Sequence, residues 1–272
     1  MSSQYIGVFS VGTTLDRGLR LYKQSFKRVF PLLLVPMMIG MLPYLSGSSN
    51  LYSPTYSPFQ ILIFIVNIGV GLWAWSVGIR YLQKLAMGEN PSVSEMLKLS
   101  GPQDLALILT YIIWGFILFV SMFFLVIPAL YFSNFLMTAL IVATIERQYS
   151  FEGLSRTFGL IKGRYWKTFA VNFIAILIVM VPSMIGIGIM TSLMAVSMNG
   201  ASMADPAAAP SGMLPVIGMA VYMLVIALVF PIYSATALVH YNSLRSEKES
   251  LDLEQSIEEI GDASVQNTSS TV

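Results

Sequence analysis

The chain has 272 residues, of which 56% are hydrophobic and 11% charged, and its formal net charge is +1. Soluble domains carry about 25% charged residues, so this composition predicts an integral membrane protein, and the small net charge predicts no nucleic-acid partner. There is no cysteine and a single histidine, which excludes thiolate chemistry, and we expect no cofactor, no metal site and no catalytic residue.

Six segments are apolar over the roughly 20 residues that a helix needs to cross the hydrocarbon of a membrane. In chain order they lie at about 29–46, 58–79, 105–126, 128–145, 168–197 and 213–240. Residues 105–145 carry no charge but are too long for one helix, so Pro128 is expected to separate two spans. The predicted fold class is an all-α integral membrane protein with six transmembrane helices as three hairpins, each preceded by a cytoplasmic amphipathic helix.

The basic residues predict the orientation of these spans. All fifteen Lys and Arg residues lie in four places. These are the segment before span one, the loop between spans two and three, the loop between spans four and five, and the segment after span six. The opposite loops contain none, and basic residues concentrate on the cytoplasmic side of membrane proteins. We therefore predict a multi-pass protein with both termini in the cytoplasm. Residues 1–255 are expected to form a single membrane domain, and the polar residues 256–272 a disordered cytoplasmic tail.

The cytoplasmic linkers form a weak internal repeat. Residues 21–30, "LYKQSFKRVF", align with residues 160–169, "LIKGRYWKTF", and residues 90–105 hold the equivalent place before span three. Helical spacing in the first and third linkers puts an apolar stripe on one side and cations on the other. Such a helix is expected to lie among lipid headgroups, where each cation near anionic lipid contributes about 1 kcal/mol.

These linkers supply the candidate residues for binding lipid or a partner protein. The candidates are Arg17, Arg20, Lys23, Arg156, Lys162, Gly163, Arg164, Trp166 and Lys167. The alternative interpretation is that the linkers only anchor and orient the bundle. Gly159 and Gly163 do not form a phosphate-binding loop, because their spacing is one residue short and no Lys-Ser/Thr follows the second glycine.

Polar residues inside the predicted spans are uncharged. Ion-coupled transporters usually mark their pathway with ionisable residues in the membrane, so their absence argues against that class. Asn134 and Asn172 are the candidates for lining a cavity, although such residues commonly form hydrogen bonds between helices. His240 is expected to be an interfacial side chain at the end of span six, and Glu146 to pair with Arg147 or Arg156.

Three stretches together resemble a known family. They are "MGENPSVSEMLKL", the hairpin "FLVIPALYFSNFLMTALIVATIERQYSFEGLSRTFGLIKGRYWKTF", and the ending "PIYSATALVHYNSLRSEKESLDLE". They resemble the glycerophosphoryl diester phosphodiesterase membrane-domain family, six-span and largely uncharacterised bacterial membrane proteins. His240 and Ser250 depart from the family pattern, which has Tyr and Gly there. The resemblance implies a location in the bacterial cytoplasmic (inner) membrane and an association with phospholipids.

The resemblance does not imply an enzyme. In some members a separate barrel carries the phosphodiesterase activity, and a barrel needs roughly 250 residues beyond the spans, so we expect the membrane domain without that catalytic domain. The sequence favours a non-enzymatic accessory or scaffold protein that engages anionic lipid headgroups, or a partner of unknown identity, through its cytoplasmic helices. The alternative is a transporter or lipid-moving protein.

Overall fold

The computed structural model describes residues 4–45, 58–98, 104–123, 126–201 and 213–269. Every regular element within these ranges is a helix. The helices are α1 (Val11–Leu45), α2 (Pro58–Ala86), α3 (Val93–Lys98), α4 (Asp104–Phe123), α5 (Val126–Ile145), α6 (Ser150–Ile161), α7 (Tyr165–Ala201) and α8 (Met213–Ser269). The two loops without basic residues fall largely outside the described residues.

Four helices within the described ranges are long and apolar enough to cross a membrane. They are Val11–Leu42 of α1, Pro58–Ala86 of α2, Tyr165–Ser197 of α7 and Met213–Glu249 of α8. The described apolar segments of α4 and α5, Ala106–Ser121 and Tyr131–Ile145, are shorter than these four. Large apolar side chains such as Phe64, Phe116 and Ile185 are exposed along these helices, a surface suited to hydrocarbon and unusual in water. The all-helical fold class is confirmed, and the six-span hairpin arrangement stays a prediction.

The charged termini of the helices lie together at one end of the bundle. Arg80 Nε of α2 donates to the Thr144 carbonyl of α5, 3.3 Å away. The backbone N–H of Phe9 donates to Ser243 Oγ of α8 at 3.0 Å. We call this the basic end. The main core also sits here, with buried side chains from α1, α2, α5, α6 and α8 in one cluster.

Helix α8 is the centre of this core. Residues 234–244 are buried without interruption, so neighbours surround the helix on every side at this level. The buried run includes polar residues, which are bonded or closely packed at helix contacts. One example is Thr236, whose Cα and Oγ1 lie against Gly18 of α1. The predicted disordered tail, residues 256–272, overlaps the last turns of α8, where no side chain is described, and it stays a prediction.

The first linker differs from the expected plan. Residues 21–30 belong to the single continuous helix α1, whereas residues 160–169 comprise the end of α6, a turn, and the start of α7. The turn depends on Gly163, whose φ is +80°. In the repeat alignment Gln24 stands at the position of Gly163, and a residue with a Cβ favours continuing the helix over a positive φ. The repeat in sequence is therefore not a repeat in secondary structure.

The predicted break near Pro128 borders residues 124–125, which lie outside the described residues. Helix α4 ends at Phe123 and α5 begins at Val126, so Pro128 falls in the first turn of α5, where the missing N–H has no partner to lose. Trp114 of α4 and Phe135 of α5 stack with ring centroids 6.4 Å apart. The two helices thus pack against each other.

Candidate functional site

A cleft of about 480 Å³ opens at the basic end, where the starts of α1 and α7 meet α8. Its lining residues are Phe9, Ser10, Val11, Gly163, Arg164, Trp166, Lys167 and Glu247. We call it the basic cleft. Four of the predicted binding residues are therefore brought together in one place. The other lining residues were missed, because nothing in the sequence marks the chain before α1 or Glu247 as neighbours of the third linker.

The turn between α6 and α7 positions the cations of the cleft. The backbone N–H of Lys162 donates to the Phe158 carbonyl at 2.9 Å, and that of Arg164 donates to the Ile161 carbonyl at 2.8 Å. Gly163 supplies the left-handed conformation that this reversal requires. Arg164 consequently stands directly before α7, and Lys167 lies in its first turn.

A carboxylate already occupies the basic side of the cleft. Glu247 of α8 forms ion pairs with Arg164 and with Lys167, the latter with 3.3 Å between Nζ and Oε2. The Glu247 side chain is 13% exposed and that of Arg164 is 50% exposed. The cleft therefore holds one anionic group between two cations, and one of those cations still faces solvent.

Two predicted residues at the turn between α6 and α7 are largely exposed, Trp166, which lines the cleft, and Lys162, which does not. Trp166 is 77% exposed, although it is a large aromatic side chain. Lys162 is also exposed, and it makes no ion pair with any residue in the described ranges. An exposed indole next to a lysine is typical of the boundary between membrane and water.

Arg156 lies in a separate ion-pair network. Its guanidinium donates to both oxygens of Glu146, at 2.7 and 3.1 Å, and to Glu249 at 3.2 Å. The hydroxyl of Tyr241 donates to Glu146 at 2.6 Å. Arg156 therefore links α6 to α8 and to the residue that follows α5, and its predicted role in binding lipid or a partner stays a prediction. Of the two partners predicted for Glu146, Arg156 is confirmed.

This network changes the acidity of Glu146. Burial alone raises the pKa of its carboxyl, but hydrogen bonds from Arg156 and Tyr241, and the positive charge of Arg156, outweigh it and hold the pKa below its ordinary value. The same pair raises the pKa of the Arg156 guanidinium, mainly through its hydrogen bond to Glu146. Both groups are thus kept charged at neutral pH.

The three candidates on α1 do not line the cleft. Arg17 donates to the Gln4 carbonyl, and its guanidinium lies 3.8 Å from the centre of the Phe9 ring. Arg20 pairs with Asp16 at 2.9 Å on the surface, and Lys23 is exposed. Arg17 therefore supports a wall of the cleft through Phe9, while Arg20 and Lys23 remain outside it.

Asn134 and Asn172 are brought together as bonding partners. Asn172 Nδ2 donates to the backbone carbonyl of Asn134 at 3.2 Å, and Asn134 Nδ2 donates to the Tyr165 hydroxyl at 3.2 Å. Both residues are buried. This geometry matches the interhelical interpretation, because it ties α5 to α7. Neither residue lines the basic cleft, and their role as cavity-lining residues stays a prediction.

His240 does not occupy the expected interfacial position. Its side chain is 1% exposed, and its Nε2 lies 3.0 Å from Thr168 Oγ1 of α7. The sequence placed it at a helix end, but α8 continues beyond this point and is surrounded by other helices there. The histidine is therefore a buried packing residue between α7 and α8.

A second cavity, a groove of about 390 Å³, lies between α1, α2 and α8 within their apolar parts. It is lined by Leu33, Pro36, Met37, Asn67, Gly71, Trp75, Tyr222, Met223, Ile226 and Phe230. We call it the lateral groove. Asn67 belongs to the uncharged polar residues of the spans, but sequence position alone could not tell which of those residues meets open space.

These features define the class of protein. The regular elements of the described residues are all helices, four of these helices are long and apolar enough to cross a membrane, and a charged cleft lies at one end. Comparisons of the chain with protein-family models, with curated proteins and with solved structures found no match. The resemblance to the glycerophosphoryl diester phosphodiesterase membrane-domain family therefore stays a prediction.

Proposed function

We propose that the protein is a non-enzymatic, multi-pass protein of the bacterial inner membrane that binds the headgroup of an anionic phospholipid in the basic cleft, as an accessory or scaffold protein. The proposal includes six spans and cytoplasmic termini. The observation that carries it is the meeting of Arg164, Lys167 and Glu247 in one open cleft. These cations already hold a carboxylate, and phosphate oxygens accept the same charge-assisted hydrogen bonds.

The surroundings of the cleft favour a lipid over a small soluble anion. Trp166 stands exposed at the rim, where an indole is suited to the headgroup level of a bilayer. Helix α7 continues from the cleft into an apolar segment long enough to cross a membrane. A headgroup in the cleft would therefore have its acyl chains directed toward hydrocarbon along α7.

A lipid titration of the full-length protein in detergent tests this function. Replacing Lys162, Arg164 and Lys167 together by Gln should weaken phosphatidylglycerol binding on the order of 100-fold, since each cation near anionic lipid contributes about 1 kcal/mol. Bound lipid would be counted by native mass spectrometry, with phosphatidylcholine as the neutral comparison lipid.

The matched control removes the same charge elsewhere, by replacing Lys27, Lys84 and Lys98 with Gln. These residues lie on α1, α2 and α3 and do not line the cleft. The control should retain most phosphatidylglycerol binding. Equal losses in both triple variants would mean that net charge matters and the cleft does not, and this would overturn the proposal.

A second candidate function is that of a lipid-moving or transport protein. The observation that favours it is the lateral groove, because a path for lipid along a membrane protein requires a space between spans. Reconstitution into liposomes with fluorescent phospholipids tests it. Translocation faster than in protein-free liposomes would support this candidate, and equal rates would leave the scaffold role.

A further inference from the structure

The lateral groove has the size and lining of a small-molecule site. Its volume of about 390 Å³ falls in the range of roughly 300–1,000 Å³ that is usual for ligand pockets. Among the described residues that line it, none is charged. Met37 and Met223 supply flexible apolar walls, which adapt to irregular ligands. The lining chemistry therefore suits an uncharged, largely apolar molecule.

Asn67 places one polar group near the middle of the membrane. It follows Pro58 by nine residues and precedes Arg80 by thirteen, which correspond to about 13 Å and about 20 Å along α2. The hydrocarbon core of a bilayer is about 30 Å thick, so a membrane-spanning α2 has Pro58 and Arg80 close to its two boundaries. The amide of Asn67 consequently stands at a depth that water and headgroups do not normally reach.

The Asn67 amide needs a hydrogen-bonding partner at this depth. A Cβ built on Gly40 of α1 would lie 2.9 Å from Asn67 Nδ2, so the amide packs against the bare backbone of α1. No side-chain hydrogen bond joins it to another residue in the described ranges. An amide without a partner is costly in hydrocarbon. Trp75 and Tyr222 also line the groove, and their side chains carry an indole N–H and a hydroxyl.

We propose that the lateral groove binds one uncharged lipid of the diacylglycerol type, whose hydroxyl or ester carbonyl forms a hydrogen bond with Asn67. An uncharged polar end can enter the hydrocarbon, whereas a phosphate-bearing headgroup is held at the interface and would meet no cation in the groove. An acyl chain of the lipid lies against the apolar walls formed by α1 and α8. This site rests on α2 crossing the membrane and is independent of the basic cleft.

Photo-crosslinking in lipid nanodiscs tests the site with the full-length protein. The probe is a diacylglycerol with a diazirine in its acyl chain, and the comparison is phosphatidylcholine with the same chain. We expect the diacylglycerol probe to label residues of the groove, such as Met37 and Met223, in preference to other lipid-facing residues. Tandem mass spectrometry would identify the labelled positions.

Two variants of α2 separate a built site from ordinary lipid contact. A Cβ on Gly71 would meet only Pro36, at 3.9 Å, so Gly71→Leu extends into the groove and should abolish most groove labelling. Gly69→Leu is the matched control, since a Cβ there meets nothing within 4 Å and Gly69 does not line the groove. Labelling of the control should equal that of the wild type.

Asn67→Leu tests the hydrogen bond without filling the groove. It should lower diacylglycerol labelling about fivefold, the value of one hydrogen bond, and Asn67→Gln should retain most of it. If both probes label the protein equally and evenly over its exposed faces, the labelling reports ordinary contact with bilayer lipid. This result would overturn the proposed diacylglycerol site. Unchanged labelling in both Gly71→Leu and Asn67→Leu would do the same. Neither result affects the phosphatidylglycerol titration that tests the basic cleft.

Discussion

The carboxylate of Glu146 receives three short hydrogen bonds, two from Arg156 and one from the Tyr241 hydroxyl. It lies directly after α5, and its partners come from α6 and α8. Three helices therefore depend on one charged side chain that is nearly buried. Removing Glu146 would leave Glu249 as the carboxylate partner of Arg156, and breaking a largely buried pair costs more than the pair itself contributes.

The lowered pKa of Glu146 predicts a specific dependence of stability on pH. A carboxyl whose pKa is lower in the folded than in the unfolded protein stabilises the fold above its ordinary value of 4.5, and this contribution disappears as the pH falls through the folded pKa. Glu146→Gln should cost about 1–3 kcal/mol at pH 7. It should also make the melting temperature less dependent on pH below about 4.5.

Melting temperatures in detergent between pH 3 and pH 7 would measure both effects. Glu152→Gln is the control, because Glu152 is an exposed residue of α6 whose removal leaves the network intact. A Glu146→Gln variant as stable as the control at pH 7 would show that the network makes no net contribution to stability.

At the scale of the helices, the close contact between α1 and α8 depends on Gly18. A Cβ at this position would lie 2.4 Å from Thr236 Oγ1 and 2.6 Å from Thr236 Cα. The second distance involves backbone, which cannot rotate away as a side chain can. Small residues allow helices in membranes to approach this closely, and here the contact lies on the most buried part of α8.

Gly18→Ala should therefore force α1 and α8 apart. We expect a loss of about 1–3 kcal/mol from overpacking, although alanine is otherwise the better helix former by about 1 kcal/mol. Gly12→Ala in the first turns of the same helix is the matched control, since a Cβ there meets nothing within 4 Å. Urea or thermal unfolding in detergent would compare the two variants. Equal stability in both would contradict the close packing of α1 on α8.

The helices were predictable from sequence to different degrees. Long apolar runs predict where α2, α7 and α8 begin within about three residues, because only a helix satisfies the backbone of such a run in hydrocarbon. They do not predict where α2 and α8 end, since both helices continue beyond their apolar runs to Ala86 and Ser269. The continuity of α1 was not predicted, since its amphipathic pattern is the same whether the cations face lipid headgroups or other helices. The buried face of α1 includes Thr14, Gly18 and Ser25, small residues that hydropathy does not mark as buried.

At the scale of the whole molecule, most predicted cations turn out to be paired within the protein. The sequence predicted a binding site in the third linker, and four of the predicted residues line the basic cleft. It could not reveal that acidic residues of α8 meet these cations. The distance in sequence between Lys167 and Glu247 is 80 residues, and only the packing of α7 on α8 brings them together.

Glu247 is therefore the natural competitor of an anionic ligand in the basic cleft. Its carboxylate pairs with Arg164 and Lys167, which are the same two cations that a phosphate group would contact. A lipid headgroup must displace this carboxylate or share the cations with it. Either way the affinity of the cleft for anions is reduced by the presence of Glu247.

Glu247→Gln should consequently raise the affinity for phosphatidylglycerol about fivefold or more, because releasing one competing charge near the surface is worth about 1 kcal/mol. The gain should shrink as salt is added, since the released cations are partly exposed. The control is Glu249→Gln, which removes the same charge from α8. The Glu249 carboxylate pairs with Arg156 and Arg245 outside the cleft. Native mass spectrometry of bound lipid would compare the two. An affinity that falls in Glu247→Gln, or rises equally in both variants, would mean that Arg164 and Lys167 serve to hold α7 on α8 and not to bind lipid.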